Sequence, residues 1–132
     1  MPFIYSILPT LRLLFIRGSG VITQSERLEA MRAWFSDPLY PQCRDALCDF
    51  TSSESTPTMA EVRELVGLMS QRLPAPGPKK LAIVTSKPIT FVMAREFKEF
   101  VDRAAVEVEV RVFQDSEVAW RWLRPEDAPP TR

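Results

Sequence analysis

The chain has 132 residues, 45% apolar and 26% charged, with 17 basic against 17 acidic side chains and a formal net charge of zero. That size supports one globular domain with a core that needs no disulfide, and the charge balance excludes a broad electrostatic pull toward nucleic acid or an anionic membrane. Histidine is absent, which removes the commonest general base and the commonest zinc ligand together.

Phe3 to Leu8 and Leu11 to Arg17 are β-prone runs separated by Pro9-Thr10, the spacing of an antiparallel hairpin. The apolar N-terminus Met1 to Ile16 is interrupted by Pro9 and Arg12 and lacks a basic n-region, so it does not read as a signal peptide. No run reaches the roughly 18–20 apolar residues of a spanning helix. The second strand run is nearly continuous in apolar residues, which suits a central strand, and Gly18-Ser19-Gly20 is expected to end it. That glycine turn lacks the spacing of a phosphate loop.

Thr23-Gln24-Ser25-Glu26 is a capping box, and Leu28, Met31, Trp34 and Phe35 give the following helix its apolar stripe. Asp37-Pro38 stops it. A strand is expected over Asp45 to Phe50, containing Cys48, and both Cys43 and Cys48 read as reduced structural thiols, as suits a cytoplasmic protein. Asp49 then opens a run of hydroxyls through Thr51, Ser52, Ser53, Ser55, Thr56 and Thr58. A second capping box, Thr58 to Glu61, starts a helix with Val62, Leu65, Val66, Met69 and Leu73 on one face. The segment Pro74 to Pro78 breaks the chain into a loop.

Lys79 to Ser86 has the composition of a buried parallel strand. A third helix is expected over Ile89 to Arg103, turning Val92, Met93, Phe97, Phe100 and Val101 inward. Val106 to Phe113 alternates strictly, which assigns it to a sheet edge. Asp115 or Ser116 caps a short last helix with Val118, Ala119, Trp122 and Leu123, and the chain from Arg124 on reads as frayed. The element order is ββαβαβαβα, an α/β domain with a mixed five-stranded sheet over residues 1–124 and a flexible tail over 125–132.

This order resembles the STAS-like fold, also called SpoIIAA-like. The resemblance rests on Leu13 to Ile22 leading into a capped helix, on Leu47-Cys48-Asp49-Phe50, on Leu81-Ala82-Ile83-Val84, and on Val112-Phe113 followed by Ala119 and Trp122-Leu123. It implies kinship with the anti-sigma-factor antagonists and, more distantly, with lipid-binding domains of the CRAL-TRIO type. In the antagonists a serine in an Asp-Ser-Ser-Gly motif before the second helix is phosphorylated and switches partner binding. This chain has Ser52-Ser53-Glu54 at that place, without the glycine.

Asp49 and Glu54 have no histidine, metal cluster or activated nucleophile to work with, so they read as turn acceptors, and the chain reads as non-enzymatic without a cofactor or metal. The resemblance and the loop chemistry together imply a regulatory or protein-interaction module. Its partner surface would be Asp49, Ser52, Ser53, Ser55 and Thr58, modulated by phosphorylation at a loop serine. Lys87, with Arg95 further along the helix and Phe91 beside them, forms a second candidate site for an anion or ligand, at the edge where open α/β sheets gather ligands. Two further expectations stand beside these. One is a homodimer through the alternating edge strand. The other is a small-molecule or lipid carrier, with an apolar pocket lined by Met69, Met93, Phe97 and Phe100 under the helices.

Overall fold

The computed structural model describes residues 3–71, 76–104 and 106–126. Strands β1 (Phe3–Leu8), β2 (Leu13–Gly20), β3 (Asp45–Ser53), β4 (Lys80–Val84) and β5 (Glu109–Phe113) form one sheet in chain order. β1 and β2 are the antiparallel hairpin, and every later neighbour is parallel. Helices α1 (Gln24–Ser36), α2 (Met59–Ser70) and α3 (Pro88–Arg103) connect the parallel strands, and α4 (Ser116–Leu123) follows β5. The fold is the α/β architecture read from the element order.

A strand order that always advances in one direction, with crossovers of one hand, puts all the connecting helices on one face. The core divides accordingly. Leu14 and Ile16 of β2, Ala46 and Cys48 of β3 and Ile83 of β4 pack against Met31, Trp34, Leu65, Val66, Ala94 and Val101 of α1 to α3. The alternate residues Leu13, Leu47, Ala82 and Val84 meet Ala119, Trp120 and Leu123 of α4 on the other face. Four helices thus cover the sheet unevenly, three on one side and one on the other. Where α4 does not reach, Ile4 and Leu8 of the edge strand β1 are 57% and 41% exposed.

Both predicted capping boxes are formed: Thr23 and Thr58 each accept from the backbone N–H three residues on, and Glu26 and Glu61 reach back. The alternating strand is at the sheet edge as its pattern required, but it begins at Glu109. β3 runs three residues past Phe50, because Ser52 and Ser53 pair with Ser19 and Gly20 of β2. Gly18-Ser19-Gly20 therefore continues β2, across a register shift, where the sequence suggested a stop. A Cβ on Gly18 would lie 2.7 Å from the Phe50 ring, so only glycine lets that ring close over β2.

Two further expectations are corrected. Val92 is 52% exposed; the buried side of α3 is Thr90, Ala94 and Val101. Arg124 is buried, its Nε donating to Asp45 Oδ2 at 2.6 Å and its Nη2 to the Leu11 carbonyl. Its guanidinium also lies 5.6 Å from the Trp120 ring centroid. These contacts pin the end of α4 to the start of β2 and β3, so the chain is ordered through Arg124. Leu73, Pro74 and the tail from 127 to 132 fall outside the described residues.

Candidate functional site

β3 is the central strand, and of the side chains it turns toward the helices only Phe50 is large, while Ala46 and Cys48 are small. α3 contributes another small residue above them, Ala94. Close packing would require larger side chains at these points. The deficit leaves a cavity of about 150 Å³ between the sheet and α1 to α3. Its floor is Leu14, Ile16, Ala46, Cys48 and Ile83, and its roof includes Met31, Trp34, Leu65, Met69, Met93 and Phe97. Of the four residues expected to line such a pocket, Met69, Met93 and Phe97 do. Phe100 does not; it lies under the guanidinium groups of Arg63 and Arg103 at 5.3 Å each. A largely apolar pocket of about this size admits a benzene-sized molecule. Burial pushes the Cys48 thiol up to about 12, with the Asp49 carboxylate adding to the rise.

The hydroxyl loop is part of the same structure. Ser53, Ser55 and Pro57 stand in the cavity wall, joined by Thr90 of α3. Ser55 Oγ accepts from Ile22 N at 2.7 Å and donates to Ile22 O at 3.1 Å. Thr56 and Thr90 share a hydroxyl hydrogen bond of 2.9 Å. The loop thereby ties the end of β2 to the start of α3 across the cavity's polar end.

The predicted site residues sort by this geometry. Ser53 is 3% exposed and its hydroxyl donates to Ser55 O at 2.9 Å. Thr58 is committed as the α2 cap. Asp49 Oδ1 accepts from Thr51 N and Oγ1 at 3.0 and 2.6 Å, and Oδ2 lies 4.0 Å from Arg17. Ser52 is exposed, with its hydroxyl making no hydrogen bond to a described residue. Lys87 donates to the Ser53 carbonyl, which brings the second candidate site onto the loop. Arg95 is not brought there: it is exposed on α3, about two turns along. Phe91 is half-buried and outside the cavity lining, while Ile89 and Val92 are the exposed apolar residues of that helix.

The residue missed in the sequence is Arg27. It is 7% exposed and shares the buried side of α1 with Met31 and Trp34. It is the one charged side chain among the described residues lining the cavity. Its Nη1 donates to Gln24 Oε1 at 3.2 Å and lies 3.7 Å from Glu61 Oε1. Burial pulls its pKa below the ordinary arginine value, against the opposing pull of Glu61 and Glu26. The 27, 31, 34 spacing was a usable signal, since three residues at helical intervals share a face.

Among the described residues no group of three His, Cys, Asp or Glu side chains is placed to hold a metal ion, and no helix is long and apolar enough to cross a membrane. Comparisons with curated proteins and with solved structures returned no match. The SpoIIAA-like family model matches residues 13–124, which span β2 through the buried Arg124, and the chain belongs to the SpoIIAA-like family.

Proposed function

We propose that this protein is a ligand-responsive interaction module of the STAS type: a small apolar molecule enters the cavity under α1 to α3, and loop 49–58 presents the occupied state to a protein partner. The cavity carries the reading, because the loop supplies part of its wall through Ser53, Ser55 and Pro57. Where the apolar lining of this pocket is unfilled, it forfeits packing contacts. A ligand that fills it recovers some of those contacts, and a change at its wall is a change on the partner surface. Family membership supports a regulatory or interaction role, and the absence of histidine suits a non-enzymatic one.

Hexan-1-ol serves as a neutral probe. The expected result is a rise in Tm that grows with the logarithm of probe concentration, equivalent to about 2.7 kcal/mol at one hundred times Kd. Ala46→Leu, which fills the floor, raises the Tm of the free protein and removes the probe's effect. A wild-type Tm indifferent to the probe would overturn the reading. Within the loop, the exposed Ser52 is the residue at which added charge modulates docking. Ser52→Asp is expected to change partner affinity without changing probe binding.

A further inference from the structure

We infer that the molecule taken by this cavity is a monocarboxylate, an apolar body about the size of one aromatic ring with a single acid group held by Arg27. The inference rests on the ligand-binding reading above and gives it a substrate class. A guanidinium presents five N–H donors in a fixed fork. At Arg27 the hydrogen bonding is confined to Nη1, on the Gln24 amide oxygen at 3.2 Å. Nε and Nη2, the pair that makes the parallel bidentate contact with a carboxylate, bond to no described residue.

The nearest acid, Glu61, makes an ion pair with Nη1 but no hydrogen bond to it. Glu61 is 3.7 Å from Nη1, beyond hydrogen-bond distance, and its Oε1 already accepts from Thr58 N at 2.9 Å. A carboxylate entering the cavity would give Nε and Nη2 the bidentate contact that Glu61 does not make. Arg27 lines the cavity, so the group that pairs with it can enter from there. One cationic side chain in a lining that is otherwise uncharged among the described residues matches one negative charge. The volume limits the body to a single ring or a short chain.

Calorimetric titration of the wild-type protein compares hexanoate and phenylacetate with hexan-1-ol and 2-phenylethanol at neutral pH. The acids are expected to bind about 10- to 100-fold tighter than their alcohols, the range for a charge-assisted hydrogen-bonded pair. Arg27→Met brings that ratio to about one while leaving alcohol binding in place, and Arg27→Lys keeps part of the preference. Alcohols binding as tightly as acids would overturn this inference and leave the cavity reading standing. So would an acid preference that survives Arg27→Met. If neither acids nor alcohols bind, the ligand-binding reading fails and this inference fails with it. The wild-type ratio needs no variant, so a poorly folded Arg27→Met protein does not block the test.

Discussion

Asp45 and Arg124 show what this protein does with buried charge outside the cavity. The side chains are 3% and 4% exposed and 2.6 Å apart, and the guanidinium also donates to the Leu11 carbonyl. Removing Arg124 leaves the buried Asp45 carboxylate with only the half-exposed Arg44, whose Nε lies 3.4 Å from Oδ2. Arg124→Met is therefore expected to lower the unfolding free energy, by less than the roughly 3–5 kcal/mol of a wholly unpaired buried charge, measured by urea denaturation. The double variant Asp45→Asn with Arg124→Met should recover part of the loss. Cys48 supplies a titration at the same scale. Its thiol is held up to about 12 from an ordinary value of 9.0, so between those values the unfolded chain has released a proton that the folded chain keeps. Fewer protons on the unfolded state means that stability falls as pH rises, by about 1.4 kcal/mol per unit within that window. Cys48→Ala should remove that component of the slope in alkaline denaturation curves. Neither buried arginine could be read beforehand. Asp45 and Arg124 are 79 residues apart in sequence, and Arg27 looks like any surface arginine unless its 27, 31, 34 spacing is given more weight than its charge.

Local chemistry was most legible where one element sets its own end. Both Thr-x-x-Glu boxes formed because the side chain and the orphan amide lie within one turn. Thr58→Ala is expected to cost about 1 kcal/mol in global stability. It should also leave the Glu61 backbone amide without the Thr58 hydroxyl that accepts from it at 3.2 Å, and so increase hydrogen exchange at the first turn of α2. Strand ends were less legible because they depend on the neighbouring strand. β3 continues to Ser53 only because Ser19 and Gly20 extend alongside it, past a register shift that composition does not announce. The consequence falls on the proposed partner loop. The extension buries Ser53 and fixes Ser55 onto Ile22, which leaves Ser52 as the exposed serine of the three considered.

At the scale of the molecule, alternation of strands and helices was enough to give the sheet, its parallel neighbours and its edge strand. The cavity needed one more step. It arises because small residues on β3 coincide with the centre of the sheet and face the helix layer, and only strand order reveals that coincidence. The same arrangement joins two surfaces that the sequence kept apart, the hydroxyl loop and the apolar pocket, into one site. The methionines offer a direct view of it. Met31, Met69 and Met93 line the cavity, whereas Met59 is 40% exposed at the start of α2. The decisive measurement is a methionine-methyl NMR titration of the wild-type protein with hexan-1-ol. The account predicts that the methyl signals of Met31, Met69 and Met93 move together along one saturable isotherm while Met59 stays in place. Shifts that never saturate, or that fall equally on all four methyls, would contradict it.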